Sequence, residues 1–510
     1  MRYIITFIVC LVVPIPAFSS TIVVPDDYAT IQAAIDQSAN GDTIIVKPGV
    51  YVENIDFIGK AITLESEMGA VVTKIDGNQT GSVVVFQKGE NVDSILDGFT
   101  LTNGNGTLIP PSLSEYGGGI CCYNSSSPMI LNNIITGNNA DFGGGIYAEF
   151  SSPSISGNRI TQNTTTGEGA AILCYYSDDI VIDDNVINRN STSEWGAGVE
   201  LIHSTSITIV GNIITENVAV NNGSGGILFA RDCTGDITNN IIQGNTVASF
   251  GSGIDIFFNS HATLTNNTVC GNSANKGGGL SCRENSSVAI NNTIFWGNTA
   301  NVGPQMFLNT SFAPSSATID YSDVQGGQAS VHLASGCSLS WGSSMIDSDP
   351  LFVDSVYEDF HLTYDSPCRD SGDNSAIFET VDFEGDPRIV LGTVDMGADE
   401  LYYHLYHTGI VIPGGNIDLK VVGYPSAPVQ LAWGRTVLDP PLATQHGELH
   451  IWPIVWFGYA GKIPSEGVLV KPVTIPSSWS TGDIAPMQAL IGPWGGAHSQ
   501  LTNLNIVTVE

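Results

Sequence analysis

Basic residues are scarce in this chain: 16 Lys and Arg stand against 50 Asp and Glu, a formal net charge of −34. A surface of that sign repels phosphate backbones and anionic lipid headgroups, so neither nucleic acid nor an acidic membrane surface is expected as a partner. Polyuronates are disfavoured for the same reason unless divalent cations bridge them. No cofactor motif is present, but the abundant carboxylates admit weak Ca²⁺ binding; no particular metal ligands are read from the sequence. Helical periodicity is absent over most of the chain. No apolar run is long enough to span a bilayer. The cysteines show no paired CxxC spacing, the glycines form no strand-to-helix phosphate loop, and no Gly-x-Ser-x-Gly elbow occurs in that context.

The start, MRYIITFIVCLVVPIPAFSS, carries one basic residue, a short apolar stretch from Ile4 to Val13 and the small-x-small triplet Ala17-Phe18-Ser19. It is expected to act as a signal peptide over residues 1–19, giving a secreted or cell-surface product. Loss of Arg2 moves the net charge from −34 to about −35. Eight of the nine cysteines follow the leader. Export permits disulfides, and Cys337 with Cys368 is the pair to test; the others are expected to be small apolar fillers.

What the sequence does have is a repeat of about 26 residues. GGGICCYNSSSPMILNNIITGN returns as GGGIYAEFSSPSISGNRITQN, GAGVELIHSTSITIVGNIITEN, GGILFARDCTGDITNNIIQGN, GSGIDIFFNSHATLTNNTVCGN and GGGLSCRENSSVAINNTIFWGN. One asparagine column runs Asn133, Asn158, Asn185, Asn212, Asn240, Asn267, Asn292; a second runs Asn138, Asn163, Asn190, Asn217, Asn245, Asn272, Asn298. Each repeat holds three short alternating apolar segments. Strands of a few residues per repeat suit a coil whose turns stack about 4.8 Å apart. Asn is expected at the bends, where it tolerates left-handed backbone angles, with amides bonding along the stack. Glycine pairs open each rung.

This pattern resembles the right-handed parallel β-helix of pectate-lyase-like proteins, and the Gly-Gly-Ile and Ile-x-x-Asn signature is similar to the repeats of polymorphic outer-membrane proteins. The resemblance covers residues 21 to about 345. The implied fold class is all-β: a right-handed parallel β-helix solenoid over 20–345. Helix start and stop signals over Tyr28–Ala39 predict a capping helix at its open first rung. The runs at 43–46, 61–64 and 82–86 are expected as its first, less regular rungs. Asp349-Pro350-Leu351-Phe352-Val353-Asp354, Phe360-His361-Leu362, Ser366-Pro367-Cys368 and Val394–Glu400 resemble the closing segment of secreted β-helix proteins of the choice-of-anchor Q type, placed at 346–402. Beyond 403 the composition shifts, with five of the eight Trp and 11 of the 24 Pro. Runs at 411–422 and 501–509 predict a C-terminal antiparallel, sandwich-like β module over 403–510. This tail also resembles a C-terminal module of other exported bacterial proteins.

In each Gly-led strand the first and third residues are expected to point inward; the third-position column is Cys122, Ala148, Cys174, Leu201, Phe229, Ile256, Cys282, all apolar. The second and fourth positions are then expected outside: Tyr147, Glu200 and Asp255 in one column, Glu149, Tyr175, Phe257 and Arg283 in the next. Tyr176, His203, Arg231 and Phe258 follow at the strand end. Rings beside carboxylates suit a sugar surface, because rings stack on a pyranose face and carboxylates accept hydroxyl protons. The resemblance places a substrate groove on this strand face. The binding candidates are therefore Tyr147, Glu149, Tyr175, Tyr176, Phe257, Phe258 and Arg283.

Hydrolysis needs two carboxylates; Glu200 and Asp255 stand two rungs apart, roughly 9.6 Å. The pairs Asp178-Asp179 and Asp183-Asp184 resemble the double Asp of polygalacturonases, but that family's Gly-His-Gly and Arg-Ile-Lys companions are missing. A lyase needs a base and cations; His203 could serve as base with Arg231 and Arg283 as cations. The catalytic candidates are thus Glu200, His203, Arg231 and Asp255, yet they form no compact acid/base motif. The leading expectation is a secreted β-helix that contacts carbohydrate or adheres, its partner a polysaccharide or cell-surface glycan. A polysaccharide lyase or glycoside hydrolase is the enzymatic alternative, and a rigid spacer the structural one.

Overall fold

A computed structural model describes residues 19–401 except 355–358, 364, 390 and 391, together with 405–408, 413–422, 428–444, 447–463, 468–478, 484–491, 500–501 and 505–508. Apart from Ser19, the expected leader lies outside the described residues. The repeat folds as a parallel β-solenoid of about 11 turns. The chain divides into two compact units, residues 1–181 and 182–510.

In the first unit, Thr30 accepts from the Ala33 N–H and starts a helix over Ile31–Gln37, shorter than the predicted 28–39. Ile31, Ala34 and Ile35 form its buried face, against the strands Thr21–Val24, Thr43–Val46 and Ile55–Asp56. The early rungs form at Thr43–Val46, Thr63–Ser66 and Val84–Phe86, the second of them two residues later than expected. A full turn then has four strands rather than three: Ile120–Cys122, Met129–Leu131, Ile134–Thr136 and Asn139–Phe142. We call the four stacks the first, second, third and fourth sheets. Residues pair in parallel register from rung to rung, as in Ile120↔Ile146 and Cys122↔Ala148.

The second unit is likewise built of first, second, third and fourth sheets. Its first sheet includes Val199–Ile202, Ile227–Ala230, Ile254–Phe257 and Leu280–Arg283. Its second runs from Ile207–Val210 to Ser338–Trp341. The first and third residues of the Gly-led strands are fully buried in both units, including Cys122, Leu201, Phe229 and Cys282. That inward column follows directly from strand alternation.

The asparagines hold the corners from inside. Asn217 Oδ1 accepts from both the backbone and side-chain nitrogens of Asn190, each at 3.0 Å, and its Nδ2 donates to Ile187 O at 2.9 Å. Left-handed angles fall on the residue before the ladder asparagine, contrary to the expectation: Asn239 before Asn240, Glu216 before Asn217, Arg189 before Asn190. One member is out of step. Asn292 is itself left-handed, and Thr293 takes the ladder place, accepting from Asn267 N at 3.4 Å. A serine ladder that the sequence reading missed lines the corner between first and second sheets. In the second unit Cys233 N donates to Ser260 Oγ and Ser260 N to Ser286 Oγ, both at 3.2 Å; Cys233 and Cys337 substitute their sulfurs for hydroxyls in this ladder. The signal was a serine (or cysteine) one or two residues beyond each strand-end residue, as in Ser177, Ser204, Cys233 and Ser260.

Cys337 and Cys368 are not joined: both are free thiols. Cys337 Sγ accepts from Ser315 N, and Cys368 Sγ donates to Asp323 Oδ2 at 3.2 Å. The segment after 346 lies along the outer face of the third sheet. There Asn266 Nδ2 donates to Asp395 O, Gly397 N to Asn292 O, and Ala398 N to Thr268 Oγ1. Phe360, Ala398, Leu362 and Met396 cover Ile241, Cys270 and Ile294. Arg388, wholly buried, donates to the carbonyls of Ala398, Asp395 and Gly397. Beyond 403, the described residues form antiparallel sheets as predicted, one of three strands and one of five. Ile417, Leu419 and Val421 from one share a core with Val429, Leu431 and Ala489 from the other.

Candidate functional site

The strand that opens each rung ends at a left-handed corner occupied by bulky residues. In the first unit Phe150 and Tyr176 stand there with φ of 47° and 50°. They are 58% and 42% exposed. Their rings lie 5.2 Å apart and nearly parallel, at 6°. Tyr175 meets Tyr176 edge-on at 4.5 Å. Glu149, half-buried one residue before Phe150, is pushed above the usual carboxylate range by burial, opposed by a hydrogen bond from Tyr147.

In the second unit the same corner carries His203, Arg231 and Phe258, again left-handed. Phe258 is 48% exposed, with Phe257 edge-on at 5.9 Å. A polar ladder follows one residue on: Asn285 Nδ2 donates to Asn259 Oδ1 at 2.8 Å, and Asn259 Nδ2 donates to Asp232 Oδ1. His203 Nδ1 lies 3.4 Å from Asp232 Oδ2. Asp232, Asn259 and Asn285 were not anticipated, although each directly follows a corner residue. Three residues past Phe258, His261 begins a shallow groove of about 740 Å³ on the second sheet. Thr208, Thr234, Thr263 and Ser287 give it a hydroxyl floor, with Asp236 among them.

The second-position column does not face solvent. Glu200 is 2% exposed and Asp255 fully buried; Tyr147 and Arg283 are buried as well. The reason is the turn before each rung, which folds back over this face. Gly251 is left-handed there, and a Cβ on it would lie 2.5 Å from Asp255 Cβ; Gly196 stands in the same relation to Glu200. Only glycine lets the chain pass so close to its own strand. The outward acid pair Glu200/Asp255 therefore does not exist as a surface feature. Arg283, expected as an exposed cation, binds Asp255, so it does not join Arg231 on the surface. Of the predicted residues, the fold brings Glu149, Tyr175 and Tyr176 to one corner surface. It brings His203, Arg231, Phe257 and Phe258 to another, and places Tyr147, Glu200, Asp255 and Arg283 beneath the fold-back. Among the described residues no cluster of His, Cys, Asp or Glu is arranged to hold a metal ion.

A parallel solenoid with asparagine-laddered corners defines the class: a right-handed parallel β-helix protein. Residues 59–227 match the family described as the right handed beta helix region. No curated protein matches the chain. The fold supports a carbohydrate-related or structural role in general. No helix among the described residues is long and apolar enough to cross a membrane.

Proposed function

We propose that this is an exported, non-catalytic β-helix that binds neutral glycan at the corner between the first and second sheets within each unit. The observation that carries this reading is the exposure of stacked aromatic side chains at left-handed corner positions. Holding a side chain in that region costs roughly 1–2 kcal/mol, and a packing role would not need the rings to face water. Phe150 and Tyr176 stack nearly parallel at the corner, and exposed aromatic rings suit the C–H face of a pyranose. Beside Phe258, the groove floor of Thr and Ser hydroxyls supplies both donors and acceptors. The net charge of −34 favours a neutral chain over an acidic one.

The test is retention of the mature protein on neutral and acidic polysaccharides, with and without Ca²⁺, while recording sugar release. Retention on a neutral polymer, reduced at least tenfold by Tyr176→Ala or Phe258→Ala without products, supports the reading. Retention equal in wild type and variants overturns it. The His203–Asp232 contact beside Arg231 favours one second reading, a lyase with His203 as base. Release of unsaturated sugars, lost on His203→Ala, would put that reading in place of the first.

A further inference from the structure

A second site, separate from the corners, lies where the closing segment crosses the third sheet. Gln243, Cys270 and Trp296 are consecutive members of one outward column, paired Gln243↔Cys270↔Trp296. Phe352 and Phe360, on the antiparallel strands Phe352–Asp354 and Asp359–Leu362, stand over them. Together with Asp349 they line a pocket of about 400 Å³. That is the small end of the range for ligand sites, roughly 300–1,000 Å³. Phe352 and Phe360 meet edge-on at 5.3 Å and 82°.

One atom in this pocket is unexplained by the fold. Gln243 Oε1 is buried and meets no hydrogen-bond donor. Buried polar atoms are nearly always paired, and the apolar closing segment leaves this oxygen without a donor unless a ligand supplies one. Asp349 at the rim uses Oδ1 to hold the Leu351 N–H at 3.0 Å; its carboxylate is exposed.

We infer that this pocket takes a single neutral pyranose unit, laid against the Trp296 and Phe352 rings, with one hydroxyl on the Gln243 amide and another on Asp349. The inference deepens the glycan reading and rests on it. An apolar ligand would leave the amide unpaired, and an anion would meet the Asp349 carboxylate. A hydroxyl satisfies Gln243 whichever way its amide is turned, since it both donates and accepts.

Full-length mature protein is titrated with D-glucose, D-galactose, D-mannose and N-acetyl-D-glucosamine by saturation-transfer NMR and calorimetry, with cyclohexanol as the apolar control. We expect at least one sugar to bind. Gln243→Leu should weaken it at least tenfold while leaving the melting temperature equal or higher, because an unpaired buried amide is removed. Asp349→Asn should weaken it a few-fold, and Tyr176→Ala should leave it unchanged. Binding of none of the four sugars, undiminished binding by Gln243→Leu, equal or better binding of cyclohexanol, or loss of binding in Tyr176→Ala would each overturn the assignment. Polysaccharide retention through the corners persists if the pocket alone is wrong, so the two readings fail separately.

Discussion

Arg283 reaches diagonally across one rung to grip Asp255 with two nitrogens, Nη2 to Oδ2 at 2.6 Å and Nε to Oδ1 at 3.2 Å. Its guanidinium lies between two rings, 4.3 Å from the centre of Phe250 and 4.1 Å from that of Phe257. Both partners are buried. Arginine suits this place because its planar group matches a carboxylate edge-on while stacking face-on.

Removing one partner leaves the other charged and out of water. Asp255→Ala is expected to destabilise the fold by about 3–5 kcal/mol, whereas Asp255→Leu combined with Arg283→Met should recover most of the loss. Denaturant unfolding of the single and double variants measures both. A catalytic Asp255 would instead give a variant of ordinary stability with altered chemistry.

The asparagine ladder should be just as sensitive. Asn217→Ala removes four hydrogen bonds, to Asn190 (two), Ile187 and Asn245, and strands the Asn190 backbone N–H and the Ile187 carbonyl in the interior. A loss of about 2–4 kcal/mol is expected, seen as a lowered denaturant midpoint. Asn217→Asp, which keeps the acceptor but loses the donor to Ile187, should fall between alanine and wild type at low pH and be worse at neutral pH, where a charge is buried.

The corner aromatics predict little change in stability. Phe258→Gly relieves a left-handed side chain, worth roughly 1–2 kcal/mol, and loses an aromatic contact of about 0.5–1.5 kcal/mol. Thermal stability should therefore change by less than about 1 kcal/mol, while glycan retention falls. A large destabilisation would mean that the ring is there for packing.

Asp323 gives a pH dependence with a definite direction. Burial raises its pKa from 3.8 to about 6, against hydrogen bonds from Cys368 and Ser348 that favour the ionised form. Its folded pKa lies above the unfolded one, so ionisation works against the fold. The penalty is absent below about pH 3.8, grows as pH rises towards 6 and is complete above it, about 3 kcal/mol at most. Asp323→Asn should raise the denaturant midpoint at pH 8 and flatten the change between pH 4 and 7. An unchanged profile would show that the carboxylate is solvated.

The sequence by itself determined the coil and its interior. Gly-led strands with inward Ile, Leu, Phe and Cys recur at a spacing that only stacked turns can satisfy, and the asparagine columns mark their corners because each amide needs the same neighbour one rung away. That periodic logic failed at Asn292, where the closing segment claims the side chain and Thr293 takes its ladder place. It also could not reveal the fold-back over Tyr147, Glu200 and Asp255. Alternation along a strand shows which side chains leave the core, not whether another piece of chain covers them. The Asp255–Arg283 pair, the His203–Asp232 contact and the Gln243 pocket join residues from different rungs or from the closing segment. Only the tertiary structure could decide them, because each depends on distances across the stack that no spacing along the chain encodes.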